Sequence, residues 1–543
     1  MWIKILLLFF VFSFLFKTDT SFDQDLGRHL RLGEIILNAH QIPKTNLFSY
    51  TNPEFPFINT HWLFEVFVYV WSISLGLGSL LVLKIIIFLF SVWLIIKIIP
   101  KENRILLLPV GFIFLHVLRE RLELRPEIFS FLFTTGTYYI LEKRTRFIYL
   151  LPFIQLIWIN THIYFFIGLI LQVIFLAFHL RGAKLKLLSI IFILSVLVSL
   201  INPNGIKGLL FPLNVNQNYG YSIVENQTMF LLESIQFRDP NFLFVKLSLG
   251  LVGLSLLVTF LRKQWQMKNI LISVSGLVLA LMHVRSFPYL VFLALPATLQ
   301  NFGTVPWNKL TKTITVIAAI ILILESYFYL NGDYYKFRDD QYKVGLGFEE
   351  HVKEAMDFVI THDLPRPIYN NFDIGSYVLY RGYPKYKVFI DGRPEAYPSQ
   401  FFTGVYIPSQ SDYKNFKEVE KNYQFKTIIF SHTDQTPWGR NFLQNVVKDE
   451  DWKLVYIDDF MLVLVTEDVL GEKKLNLIDP AKLDPSAFRF SSHLPYLRLG
   501  LFLLSTGYTD SGRKFIEKTL QLFPDDPIAN SLIGQPSKSI FFW

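Results

Sequence analysis

Over its first 330 residues the chain alternates long apolar runs with short polar breaks, and after that its character changes. The apolar runs fall at roughly 3–18, 78–99, 105–118, 127–141, 147–160, 163–180, 187–201, 243–261, 270–284, 287–300 and 312–330. A helix that crosses a bilayer needs about 20 mostly apolar residues, fewer where neighbours shield it, so the pattern predicts about 11 spans. One further run, 62–76, carries Trp62, Tyr69 and Trp71 and is expected to lie in the interface as an amphipathic helix.

Lys and Arg gather in the breaks: Lys97, Lys101 and Arg104, then Lys143, Arg144 and Arg146, then Arg181, Lys184 and Lys186. Arg262, Lys263 and Lys268, with Lys309 and Lys312, continue the series. Together with Lys4 they share one side of a membrane only if 62–76 does not span. This predicts the N-terminus inside and the C-terminus outside. Lys4 and the apolar run from Ile5 to Phe16 also resemble a signal peptide, but no small-x-small site follows, and an uncleaved anchor is expected.

Beyond about residue 331, prolines and polar residues interleave with strand-like runs at Lys387–Asp391, Thr427–Phe430 and Met461–Thr466 and helical stretches near 349–361 and 413–423. That alternation predicts an external α/β domain over 331–470. A linker is expected at 467–490. Residues 491–534 have the Leu/Gly/Tyr and Phe/Leu/Pro spacing of one tetratricopeptide-like helical hairpin, within a tail at 485–543. A single unit of this kind suits docking or capping.

Composition agrees with an integral membrane protein: 52% hydrophobic, 18% charged, 54 Phe and mean hydropathy +0.36. The absence of cysteine excludes disulfides, thiolate metal sites and Cys nucleophiles. The net charge of +8 sits in topology-setting loops rather than along a phosphate-tracking stripe, so nucleic acid is not an expected partner. P-loop, dinucleotide-binding, zincin and Gly-x-Ser-x-Gly patterns are missing.

Candidate chemistry begins in the polar loop at 17–76. Asp25 and His29 are four apart and share a helical face; Glu34, nine beyond Asp25, is placed near it. A carboxylate beside an imidazole suits cation binding or general-base work, and equally suits a solvated helix paired with Arg28 or Arg31. In the predicted topology Arg119, Arg121, Arg125 and Arg285 all lie outside, against the positive-inside trend. Guanidinium grips phosphate in a bidentate manner; pairing with Glu120 and Glu123 is the structural alternative. Asn160 and His162 sit at a helix end beside Trp158, which could stack on a sugar face. Asp391-Gly392-Arg393 reads foremost as a turn with a buried ion pair. Asn202 to Gly205 reads as a helix-stopping turn.

The order of motifs resembles the first external loop of bacterial GT-C glycosyltransferases, in a largely uncharacterised branch. Its residues here are Asp25, His29, Gly33, Ile42-Pro43, Phe48 to Thr51, and His61-Trp62-Leu63-Phe64-Glu65. Arg125-Pro126, Trp158 to His162, Asn202 to Gly205 and Arg285 follow in order, so the resemblance covers about residues 1–330. Asn371 to Gly375 and Phe389 to Arg393 extend it into the external domain.

The resemblance implies a GT-C-like membrane domain over 1–330. It implies transfer of a sugar from a polyprenyl-phosphate donor to a glycan, lipid or protein acceptor of the envelope, outside a bacterial inner membrane. It assigns Asp25 and His29 to catalysis, with Glu34 added from its spacing, and His61, Glu65, Arg125, Asn160, His162 and Arg285 to substrate binding. The cofactor is unassigned, with a divalent cation (Mg or Mn) at Asp25 and Glu123 left open, because Arg125 stands where better-studied members usually carry an acid. Two other functions stay open: a non-catalytic scaffold whose hairpin recruits a protein partner, and a lipid or sugar transporter. Nearly acid-free spans, apart from Glu325, argue against ion-coupled transport.

Overall fold

The computed structural model describes residues 2–103, 106–119, 121–178, 181–214, 219–237, 239–303, 308–337 and 342–534, so Arg104 and Glu120 lie outside the described residues. Fifteen helices run through the first part: α1 Trp2–Leu15, α2 Gly27–Ala39, α3 Trp62–Leu75, α4 Ser79–Ile98, α5 Leu107–His116, α6 Glu127–Lys143, α7 Leu151–Thr161 and α8 Phe166–Phe178. Then come α9 Ala183–Val198, α10 Gly205–Leu210, α11 Met229–Ser234, α12 Asn241–Leu261, α13 Met267–Met282, α14 Leu295–Phe302 and α15 Lys309–Leu330.

Each of the 11 expected spans contains one of these helices, but among the described residues three of them, α4, α12 and α15, are long and apolar enough to cross a membrane by length and composition. Several of the others adjoin a change of helical pitch. A 3-10 stretch, Thr145–Leu150, precedes α7; another, Ile163–Phe165, precedes α8; a π-helical turn, Leu290–Ala294, precedes α14.

The lysine in the middle of α4 is explained by its partner. Lys84 is 1% exposed and its Nζ lies 2.7 Å from Asp19 Oδ2. An unpaired buried charge would be costly, and here the pair is completed by further donors. Asp19 also accepts from the Ser21 backbone and hydroxyl and from the Leu124 N–H at 3.0 Å. One carboxylate thereby joins the end of α1, the middle of α4 and the loop that carries Arg125.

Helix α2 packs directly on α3 because Gly33 has no side chain: a Cβ there would lie 2.1 Å from the Glu65 carbonyl oxygen. This close approach sets His29 of α2 against Glu65 of α3.

The second part is built on a four-stranded mixed sheet of β1 Ile368–Asn370, β2 Thr427–Ser431, β3 Trp452–Ile457 and β4 Met461–Thr466, in the order β1-β2-β4-β3. Strands β1 and β2 are parallel; β4 runs antiparallel to both β2 and β3. Two expected strands become β2 and β4. The third, Lys387–Asp391, makes only an isolated bridge between Val388 and Ser49. The Asn370 side chain explains this, donating to the Ile390 carbonyl and accepting from the Phe389 N–H where a neighbouring strand would bond.

The expected linker contains a helix, Glu467–Lys473, and two 3-10 turns. The hairpin is formed by His493–Thr506 and Thr509–Leu522. It docks on the sheet domain, with Phe502 against His432 and Arg498 paired to Asp459 at 3.1 Å.

Candidate functional site

A cavity of about 150 Å3 lies where the helical part meets the α/β part. Distant segments reach it. A π-helical turn, Phe22–Leu26, runs into α2 and delivers Asp25, Arg28 and His29; the approach to α3 delivers His61; the start of α6 follows Arg125. His162 caps α7, Arg285 follows α13, and Tyr219, Ile223 and Asn226 come from the segment before α11. Gly392, Pro394 and Glu395 close it from the α/β side.

Six of the residues singled out from sequence therefore share one cavity: Asp25, His29, His61, Arg125, His162 and Arg285. The others lie elsewhere. Glu65 is fully buried, accepting from Asn59 Nδ2 at 2.6 Å and facing His29 Nδ1 at 3.1 Å, so it fixes that imidazole from behind. Asn160 is bonded to Trp62 Nε1 at 2.8 Å and donates to the Leu156 and Ile201 carbonyls. Trp158 is fully buried beside Phe133 and offers no face to a sugar. Its indole N–H bonds Ser130 Oγ at 2.7 Å, the same hydroxyl that meets His162 Nδ1 at 2.7 Å.

Glu34 pairs with Arg31 and faces two surface grooves away from the cavity. Nine residues at about 100° each advance a helix by two and a half turns, which turns Glu34 to the opposite face rather than back to that of Asp25.

The electrostatic centre is a residue that sequence reasoning missed. Glu225 accepts from Arg125 Nη1 at 2.8 and 2.9 Å, and lies 2.7 Å from Arg121 Nη1 and 3.3 Å from Arg285 Nη2. Burial raises its carboxyl, but Arg121, Arg125 and Arg285 outweigh that and hold it well below the usual range. Asp25 behaves alike. Burial pushes it up, while Arg125 at 3.3 Å and Arg28 at 3.0 Å bring it below its ordinary value. Both carboxylates are ionised at neutral pH.

Several guanidinium nitrogens remain unused: Nε of Arg28, Nε and Nη2 of Arg121 and Nε of Arg285 are buried without a hydrogen-bond partner. The signal for Glu225 was the excess of external Arg over the acids of their own loop, which calls for a carboxylate from a distant segment.

The three imidazoles form a row, His29–His61 at 5.9 Å and His61–His162 at 5.5 Å between ring centres. Burial, then neighbouring positive charge, lowers all three: His29 below its ordinary value, His61 well below, His162 to about 3. They are neutral hydrogen-bonding groups at physiological pH.

The two carboxylates expected to hold a divalent cation already have protein partners. Glu123 accepts from the Tyr342 hydroxyl at 3.1 Å, Asp25 is already flanked by two guanidinium groups, and among the described residues no three His, Asp or Glu groups converge to hold an ion.

Beside the cavity lies a small pocket that shares Thr60 and Ile163 with it, and beside that a groove of about 470 Å3 lined by Trp62, Leu63, Leu156, Ile157 and Ile201 among others. Charge at the centre and apolar surface beside it would suit an amphiphile.

No family model matches this sequence, and no curated protein does. Among solved structures, the chain is similar to the archaeal oligosaccharyltransferase AglB from Archaeoglobus fulgidus in complex with an inhibitory peptide and a dolichol-phosphate, with TM-score 0.57 and 11% identity over 99% of this chain and 87% of that one. It is also similar to the Archaeoglobus fulgidus oligosaccharyltransferase tethered to an acceptor peptide, with TM-score 0.55 and 11% identity over 84% of this chain and 72% of that one. A third likeness, to that enzyme in complex with Zn and sulfate, has TM-score 0.52 and 12% identity over 96% and 86%. Identity this low speaks for architecture alone: the chain shares its overall fold with these oligosaccharyltransferase structures.

Proposed function

We propose that this protein is a membrane glycosyltransferase that moves a sugar from a polyprenyl-phosphate donor to an envelope acceptor on the external face of a bacterial inner membrane. The observation that carries the proposal is that Arg28, Arg125 and Arg285 line one cavity with the ionised Asp25, while Arg28 and Arg285 keep buried Nε–H groups without a partner and Glu225 bridges Arg125 and Arg285. Buried donors without partners mark a site completed by something else, and an oxyanion of phosphate matches guanidinium best. The fold adds support, since neighbours of the same architecture include one solved with a dolichol-phosphate.

In this proposal residues 1–330 form the membrane domain, 331–470 an external domain over the acceptor side, and 485–543 a docking tail. Arg125 and Arg285, with Arg121, hold the donor phosphate and stabilise the charge that grows on it as the anomeric C–O bond breaks. Asp25, kept ionised by Arg125 and Arg28, orients the acceptor so that its nucleophilic oxygen faces the anomeric carbon. The neutral His61 and His162 contact sugar hydroxyls, while Glu65 positions His29. The apolar groove beside Trp62 lies where the lipid part of the donor would run. Inversion is the expected outcome by analogy with GT-C enzymes.

The test is label transfer from a panel of polyprenyl-phosphate hexoses and pentoses into membrane acceptors, using the full chain. Wild type should transfer from at least one donor, and Asp25→Asn should lose about 100-fold or more of kcat/KM. Equal incorporation by Asp25→Asn would remove Asp25 from the chemistry; no transfer from any donor would sink the function itself.

A further inference from the structure

Acceptor activation needs a group to take the hydroxyl proton, and the carboxylates most visible in the sequence are poorly suited to it. Asp25 and Glu225 are each held by two or three guanidinium groups, which stabilise the carboxylate and weaken it as a base. Besides Asp25, two carboxylates line the cavity, Glu127 and Glu395. Glu127, in the first turn of α6, lies in the field of Arg121, Arg125 and Arg285, on the side where the phosphate would bind. Glu395 comes from the α/β domain, and the charges that act on it are Arg28, Arg393 and Asp391.

Among the described residues no other side chain hydrogen-bonds to Glu395 or pairs with it; its own backbone N–H donates to it, and Tyr219 of the same cavity feels its charge. The backbone that carries it is nonetheless firmly placed. Glu395 sits in a 3-10 turn, Pro394–Ala396, that follows the buried Asp391–Arg393 pair, and the Ala396 carbonyl accepts from Asn46 Nδ2 at 2.9 Å. A carboxylate without an ion-pair partner, on a fixed support in the same cavity as the guanidinium groups, is what a proton acceptor here requires.

We infer that Glu395 is the general base of the transfer, taking the proton of the acceptor hydroxyl. This rests on the glycosyltransferase function proposed above. As the acceptor oxygen bonds to the anomeric carbon, its proton passes to the Glu395 carboxylate. The bond from that carbon to the phosphate oxygen breaks, and its electron pair leaves with polyprenyl phosphate. Burial, the largest influence, lifts the Glu395 carboxyl above its ordinary value despite Arg28 and Arg393, which brings it closer to a working base.

The test compares full-length wild type, Glu395→Gln and Glu395→Asp on the donor panel used above, with kcat and donor KM measured separately. Glu395→Gln should lower kcat about 100-fold or more with donor KM within about threefold, since general-base groups contribute on that scale. Glu395→Asp should keep a measurable part of the rate, and the unchanged KM shows that the variant is folded. Wild-type kcat in Glu395→Gln overturns the base assignment and leaves the glycosyltransferase standing; so does a raised donor KM with kcat intact. A wild type inert toward every donor overturns both.

Discussion

Two Asp–Arg contacts, one in the α/β domain and one in the cavity, use the same chemistry to different ends. Asp391 and Arg393 are 0% and 1% exposed and bonded twice over, Nε to Oδ1 at 2.7 Å and Nη2 to Oδ2 at 2.7 Å. The Arg393 N–H, the Tyr397 hydroxyl and Asn46 fill what is left, and no buried nitrogen of Arg393 goes unpartnered. Asp25 and Arg125 are 23% and 12% exposed and meet at 3.3 Å. Around them Arg28, Arg121 and Arg285 keep buried N–H groups with nothing to bond. A saturated pair holds a fold together; an unsaturated one waits for a ligand.

The sharpest way to break this contrast is to remove one arginine from each. Arg393→Ala leaves Asp391 buried without its counter-charge and should destabilise the protein by about 3–5 kcal/mol. Arg285→Ala, at a side chain 24% exposed, should cost no more than about 1 kcal/mol while weakening donor binding. Chemical denaturation of both full-length variants in detergent measures the difference. Equal losses would mean that the cavity arginines are structural after all.

Acid sharpens the comparison from the cavity side. The buried His162 is lowered to about 3 in the folded protein against 6.5 for an ordinary imidazole. Between those values the unfolded chain binds the proton and the folded one does not, so stability falls as pH falls below about 6.5. This one group should cost about 2 kcal/mol between pH 6.5 and about pH 5. His162→Gln should flatten that part of the stability curve. If wild type and His162→Gln follow the same acid limb, the imidazole is not held neutral.

What sequence could and could not deliver follows range. Apolar runs in the first 330 residues mark helices because burial and periodicity are local, and all 11 marked segments contain one. Their lengths were less legible, since π-helical and 3-10 turns such as Leu290–Ala294 follow from packing between helices. The Asp391–Arg393 pair was legible because it closes within three residues. The failed strand at Lys387–Asp391 was not, because Asn370 and the loop at Ser49 take its hydrogen bonds from far away. In the cavity, the resemblance supplied Asp25, Arg125 and Arg285 as separate points, and only the fold joined them. Glu225 lies 100 residues from Arg125 and belongs to no local pattern.

Glu34 supplies the mildest test and bears on the first external loop as a whole. It sits on the same helix as His29, within ten residues of Asp25, yet its carboxylate pairs with Arg31 at the surface. An exposed ion pair three residues apart on a helix contributes about 0.2–0.5 kcal/mol. Glu34→Ala should therefore leave stability within about 0.5 kcal/mol and transfer within about twofold of wild type. Asp25→Asn in the same assay should abolish nearly all of it. Were Glu34→Ala to match Asp25→Asn, the face of α2 that looks away from the cavity would have to take part in the chemistry. The division between a pair turned away from the cavity and a pair inside it would then fail along one stretch of chain.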